Sequence, residues 1–273
     1  MSKEAYFIAQ FPSKHIGDDG AVVQKTVYSK DLFCEDIHFK RSWMRLEEIA
    51  AKSMLVNISD AIAMNAKPRL ALIGVVIPKS FTCKELRELS MGFEKVAKEY
   101  GIEIIGGDTT AGEKLMISVS IISETQKPLY RKNAKIGDYV AYTGVLGNSS
   151  KGLTRLLRGG HVGGRSRFVK PELKKVFMQK IGHRLHSGMD ISDGLSKDLS
   201  RLCKESGRVG IAWHKKISKH LLCSGEEYEM LFTFSPRDKA HLKRVSAQTR
   251  TKTTIIGKII RKRYRCVCKE HHF

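Results

Sequence analysis

Acidic residues are scarce: 28 Asp and Glu stand against 49 Lys and Arg in 273 residues, a formal net charge of +21. Aromatic residues are also few, at 8%, and they do not interleave with the basic side chains. A groove for single-stranded nucleic acid needs both cations and stacking rings, so no nucleic-acid partner is expected. No run of 18 apolar residues occurs, so no membrane-spanning helix and no membrane partner are expected. From the opening Met1-Ser2-Lys3-Glu4, no secretory leader is expected. A cytoplasmic protein is therefore expected, with its six cysteines (Cys34, Cys83, Cys203, Cys223, Cys266 and Cys268) as reduced thiols. The dinucleotide-binding glycine pattern after a strand is absent. The segment from Gly159 to Ser166 nearly matches a P-loop, but Arg165 stands where lysine belongs and a helix-like stretch precedes it. Cys266-x-Cys268 followed by His271-His272 is too tight a spacing for the usual structural zinc site.

What is present is an ordinary globular composition, 41% hydrophobic and 28% charged. At roughly 100–200 residues per domain, the length fits one large domain or two modest ones. The positive surface attracts anions, phosphorylated metabolites among them. In the first half, strand-like and helix-like segments alternate. Residues 21–28 read as a strand, and 46–66, with Ile49, Leu55, Ile58 and Ile62 at helical spacing, read as a helix. Residues 69–77 read as a strand and 82–100 as a helix, with Thr82 as N-cap and Gly101 as its stop. Residues 102–105 and 115–122 complete the strands of this half. A boundary falls in the turn-rich stretch 131–138, giving domains 1–135 and 136–273. Beyond it, 149–158, 171–186 and 192–206 read as helices, and 139–143, 209–213, 228–234 and 253–260 as strands. The fold class is α+β, with two α+β domains.

The scarce carboxylates are placed with regularity. Asp18 and Asp19 follow Ile16-Gly17. Asp31 closes Tyr28-Ser29-Lys30-Asp31, and Asp60 lies in Asn57-Ile58-Ser59-Asp60. Asp108 follows two glycines in Ile105-Gly106-Gly107-Asp108-Thr109-Thr110. Asp190 and Asp193 share Asp190-Ile191-Ser192-Asp193-Gly194. Taken singly, an Asp beside Gly or Ser is a turn or helix cap. Gathered in one place, such acids are ligands for hard divalent cations, and Mg²⁺ in particular pairs a few carboxylates with phosphate oxygens. A nucleoside triphosphate, repelled by bare aspartates, binds them through the metal. Glycines beside the acids let backbone approach phosphate closely.

Taken in order with His38-Phe39, Met64-Asn65-Ala66-Lys67-Pro68, Gly144-Val145-Leu146-Gly147 and Gly225-Glu226-Glu227-Tyr228-Glu229, these segments resemble thiamine-monophosphate kinases over nearly the whole chain. Single pieces recur in the wider aminoimidazole ribonucleotide synthetase superfamily. The resemblance implies that superfamily's fold, an N-terminal α/β domain with a mixed sheet followed by a C-terminal α+β domain, a homodimer built through the N-terminal strands, and ATP-dependent phosphorylation of thiamine monophosphate to thiamine diphosphate. It implies Mg²⁺ ligation by Asp19, Ser29, Lys30, Asp31, Asp60, Asp108, Asp190 and Asp193, with Asp60 and Asp190 at the chemistry. It places Gly107, Asp108, Arg131, Ser192 and Tyr100 at ATP, and His38 and Glu226 at thiamine monophosphate. Lys30 stands where the family usually has threonine, and the chain lacks the family's aromatic near its C-terminus. The alternatives are another ATP-dependent reaction of the superfamily, such as selenophosphate synthesis, or a basic nucleic-acid-binding protein. Selenophosphate synthetases usually carry a reactive N-terminal cysteine or selenocysteine near a lysine, and the first cysteine here, Cys34, argues against that reaction.

Overall fold

The structure, a computed structural model that describes residues 3–269, consists of two five-stranded sheets with helices packed on and between them. The first sheet contains β1 (Ala21–Val23), β2 (Thr26–Cys34), β3 (Lys67–Pro78), β4 (Glu103–Gly112) and β5 (Met116–Glu124), in the order β1-β2-β5-β3-β4. Only β3 and β4 run parallel, which makes the sheet mixed. Helices α1 (Lys3–Ile8), α2 (Leu46–Ala63) and α3 (Cys83–Tyr100) belong to this half. The second sheet is antiparallel throughout. It contains β6 (Tyr139–Thr143), β7 (Leu185–Asp190), β8 (Gly210–Trp213), β9 (Met230–Phe234) and β10 (Thr253–Ile260), in the order β7-β9-β6-β10-β8. Its helices are α4 (Asn148–Leu157), α5 (Lys175–Ile181), α6 (Leu195–Glu205), α7 (Lys219–Leu222) and α8 (Lys239–Gln248).

α2 sits at the centre. It packs on β2 and β5 on one side and reaches β7 of the second sheet on the other. It is accordingly buried nearly all round, polar residues Lys52, Ser53, Asn57 and Ser59 included. Asn57 Nδ2 donates to the Val119 carbonyl of β5 at 2.7 Å, which fixes the rotation of the helix over the sheet. α3 lies against α2, and Gly92 allows the approach: a Cβ there would collide with the Glu47 carbonyl and Ala50. α3 starts and stops where the sequence indicates. Thr82 Oγ1 accepts from Glu85 N–H, Glu85 Oε2 accepts from Thr82 N–H, and Gly101 closes the helix at φ +68°. One buried cluster runs from Phe33 and Phe39 through α2 to Phe177 and Phe232, so the two sheets share a core.

Four expectations change. The strand expected at 21–28 is a hairpin, β1 and β2, turning at Gln24 with φ +56°. Gln24-Lys25 carries none of the glycine or asparagine chemistry that marks such turns. β4 does not end before Gly106 but continues through Asp108 to Gly112, because β3 supplies a parallel partner along that length. The helix expected at 171–186 is confined to α5, and Leu185–Asp190 becomes β7. That segment has no β-branched residue, yet it pairs with β9. Finally, Cys223 and Cys268 are paired, Cα–Cα 5.5 Å, while Cys34, Cys83, Cys203 and Cys266 are free. The tail after β10 crosses α6, where Val267 N–H donates to Ser196 Oγ at 3.1 Å, and this brings Cys268 to the end of α7. His271 and His272 lie outside the described residues. The stretch from Gly159 to Ser166 follows α4 and forms no helix, so it lacks the context of a P-loop.

Candidate active site

Each acid of the site comes from a different part of the fold. Asp19 lies in the turn before β1, Asp60 near the end of α2, and Asp190 at the end of β7. Their carboxylates converge, with one oxygen of each lying within 4.8 Å of the others. Asp31 projects from β2 toward the same group, on the face that packs against α2. Ser59 Oγ donates to Asp190 Oδ2 at 2.7 Å, which joins α2 to β7. Arg131 holds Asp19 from outside: its guanidinium bonds the Asp19 carboxylate and, at 3.2 Å, the Gly17 carbonyl. The Arg131 N–H also donates to Asp18 Oδ1 at 2.6 Å.

The electrostatics are those of an acid cluster short of positive charge. Burial, and then the Asp19 carboxylate, push the Asp31 carboxyl up to about 6. Burial raises Asp60 well above the carboxylate range, reinforced by Asp31, Asp190 and Asp19, and burial and Asp19 do the same to Asp190. Asp19 Oδ2 is buried and has no hydrogen-bond partner among the described residues. An all-oxygen donor set with an orphaned carboxylate oxygen fits a hard divalent cation, which would replace the protons these acids otherwise hold.

The remaining expected residues divide into those near this cluster and those apart from it. Ser29 shares the inner face with Asp31, and its Oγ donates to Asn57. Ser192 follows Asp190 and Ile191, and its carbonyl accepts from Glu226 N–H at 2.7 Å. Asp193 pairs with cations of α6, Lys197 at 3.2 Å and Arg201 at 2.5 Å. Burial works to raise its carboxyl, but Arg201 and Lys197 outweigh that and hold it lowered. Lys30 is on the opposite face of the sheet from the cluster. Its ammonium donates to Ser118 Oγ at 2.7 Å and Ser120 Oγ at 3.3 Å, and an ammonium has no lone pair to offer a metal. Gly107 and Asp108 are on β4. The register row Leu32–Ser118–Gly74–Asp108 puts Asp108 on the outer face with Leu32, three strand spacings (about 14 Å) from β2. Tyr100 is buried at the end of α3 under Lys175, and its charged neighbours are Glu99 and Glu172 rather than the aspartates.

His38 and Glu226, distant in sequence, belong to one neighbourhood. His38 Nδ1 accepts from Cys34 N–H at 3.0 Å, and its ring stacks on Phe33 at 5.5 Å. Lys52 of α2 lies 5.6 Å from the Phe33 ring centre and 3.8 Å from that of Phe168, and its Nζ is 3.3 Å from both Glu226 oxygens. Lys52, Phe33 and Phe168 were not singled out from sequence. A lysine inside the apolar run of α2 was the available signal. Three surface cavities, of about 390, 700 and 510 Å³, are lined by none of these aspartates.

Comparison with known proteins puts this geometry in context. Residues 17–125 match the profile of the family "AIR synthase related protein, N-terminal domain". A thiamine-monophosphate kinase from Aquifex aeolicus (strain VF5) is 31% identical over 248 residues, covering 81% of each chain. The chain belongs to the thiamine-monophosphate kinase family. A kinase of the same name from Pyrococcus horikoshii is 30% identical over 272 residues, 93% of this chain and 85% of that protein. Among solved structures, AaThiL complexed with AMPPCP and TMP superposes with TM-score 0.86 at 28% identity, covering 96% of this chain and 90% of that one. Hydrogenase maturation protein HypE in complex with ATP, at 16% identity and TM-score 0.72, shares the α+β fold of this kinase family.

Proposed function

We propose that the chain carries out the reaction for which its family is named. It is an ATP-dependent kinase: the γ-phosphoryl group of ATP passes to the phosphate of thiamine monophosphate, giving thiamine diphosphate. The observation that carries this reading is the convergence of Asp19, Asp60 and Asp190 from three separate segments of a chain so similar to these kinases. Asp19, Asp60 and Asp190, with Asp31 beside them, would hold Mg²⁺. When bound, the metal neutralises phosphate charge and links the nucleotide to these carboxylates. The chain's own contribution is placement. α2 fixes Asp60, the Ser59 bond orients Asp190, and Arg131 keeps Asp19 turned inward. The acceptor phosphate, with a second pKa of about 6, is already largely anionic at neutral pH, so no strong base is needed. Transfer is then direct and in line, without a phosphoenzyme, and alignment of the two phosphates supplies the rate. His38 and Glu226 border the thiamine moiety, and Ser192 faces the nucleotide.

A homodimer completes this reading. Tyr28, Leu32, Leu72 and Met116 are exposed on the face of the first sheet opposite α2, around Lys30, Ser118 and Ser120, a partly apolar surface suited to a second copy. Asp108 and Gly107 lie on the far edge of the same sheet, beyond reach of their own cluster, and a second copy gives them a site to serve. We also divide the chain into an N-terminal unit, residues 1–135, and a C-terminal unit, residues 136–273, a reading supported by the separate sheets β1–β5 and β6–β10. We place the reaction in the cytoplasm, where the Cys223–Cys268 pair would meet a reducing thiol pool. Among the described residues, no helix is long and apolar enough to cross a membrane.

The test is a coupled assay of purified protein with ATP, Mg²⁺ and thiamine monophosphate, with free thiamine and aminoimidazole precursors as alternative acceptors. Turnover is expected with thiamine monophosphate alone. Turnover with free thiamine but not with its monophosphate would overturn the substrate.

A further inference from the structure

Lys52 is buried completely, and nothing in the reaction as described above uses it. A buried ammonium is costly unless it is paired. Here the compensation is unusually specific. Nζ is equidistant, at 3.3 Å, from the two oxygens of Glu226, a residue 174 positions away on the loop between α7 and β9. The rings of Phe168 and Phe33 flank it, and each presents a π-face that favours a cation. The partner loop is itself held closely. Glu226 takes the left-handed conformation at φ +54°, its N–H donates to the Ser192 carbonyl, and a Cβ at Gly225 would press against that same oxygen. The Glu226 side chain remains about a quarter exposed (26%), so its carboxylate has lone pairs open on the side away from Lys52. Phe33, the second ring on Lys52, is the ring on which His38 stacks.

We propose that Lys52 is a positioning residue for the acceptor substrate. Its ammonium fixes the Glu226 carboxylate in the thiamine pocket and so ties the helix that carries Asp60 to the loop that receives the acceptor. The proposal rests on the reading of Glu226 as a thiamine monophosphate contact. Its chemical consequence is that Lys52 and Glu226 together are neutral. The pocket therefore recognises hydrogen-bond donors, such as a ring amine, through the open lone pairs of a fixed carboxylate, rather than a bare positive charge.

The experiment is steady-state kinetics on Lys52→Met, Lys52→Arg, Glu226→Gln and the double variant Lys52→Met/Glu226→Gln, with each substrate varied in turn. Lys52→Met is expected to raise the KM for thiamine monophosphate by at least about tenfold, while the KM for ATP stays within about twofold. Lys52→Arg keeps a cation at the same place and should recover part of that loss. Once Glu226 is Gln, removing Lys52 should cost no further affinity for thiamine monophosphate, because the two act as a unit. A rise with Glu226→Gln but none with Lys52→Met would overturn the positioning role and leave the substrate reading standing. No rise with Glu226→Gln would remove the substrate reading of Glu226 itself. If Lys52→Met does not fold, Lys52→Arg decides: an altered KM for thiamine monophosphate alone supports the role, and equal changes for both substrates overturn it.

Discussion

Asp60 is surrounded by Asp31, Asp190 and Asp19, and burial together with these neighbours raises its affinity for a proton. For Asp31, burial and then the Asp19 carboxylate push the carboxyl up to about 6. The folded state holds these protons more tightly than the unfolded chain does. Each such acid therefore contributes stability that is fully present below the ordinary carboxylate range and is lost as pH rises through the raised value. For Asp31 the window runs from about 4 to about 6. A bound divalent cation takes over from the protons above that window. Calorimetry should accordingly show a larger Mg²⁺-induced rise in Tm at pH 7.5 than at pH 5, and equal rises would remove the cluster as the metal site. Asp60→Asn relieves the repulsion without changing shape. The metal-free variant should melt no lower than the parent, while turnover falls by about a hundredfold or more and the Mg²⁺-induced shift shrinks. These aspartates could be picked out from sequence because each sits in a distinctive Gly/Ser/Asp setting. Lys52 could not, because its meaning comes from Glu226 and two rings that sequence places far away.

At the level of elements, α2 carries the site and explains why a helix, rather than a loop, presents Asp60. It is covered on nearly all sides, so its rotation is fixed by packing and by the Asn57 bond to β5. α3 pins it through the Gly92 contact. Gly92→Ala forces a methyl group into the Glu47 carbonyl and should cost about 1–3 kcal/mol of stability, read as a lowered Tm. An unchanged Tm would mean that the helices can separate without penalty. The elements with strong local signals, α2, α3, β5 and β10, are where periodicity and caps place them. Those without such signals are not. The β1–β2 turn lacks turn residues, and β7 has a composition poor in strand formers and exists because β9 is there to pair with it. The P-loop-like glycines after α4 show the converse, a local pattern without the strand and helix that would give it function.

At the scale of the whole molecule, the proposed homodimer can be tested on one face of the first sheet. The first sheet leaves Tyr28, Leu32, Leu72 and Met116 exposed on one face, with β4 unpaired along its outer edge. Leu72→Asp should convert a dimer into a species of 30.8 kDa in sedimentation, with loss of turnover if a second copy's Asp108 completes each site. A parent protein that already sediments at 30.8 kDa would remove the dimer. By itself the sequence determined the α+β class and, through its ordered short motifs, the family, because periodicity, caps and motifs are written in neighbouring residues. Only the tertiary structure decided which acids meet. It brought Asp19, Asp60 and Asp190 together, turned Lys30 and Asp108 to the other face, paired Cys223 with Cys268 and placed Lys52 on Glu226. Such choices depend on the register of strands and the packing of helices, where one step along a strand reverses the face a side chain occupies.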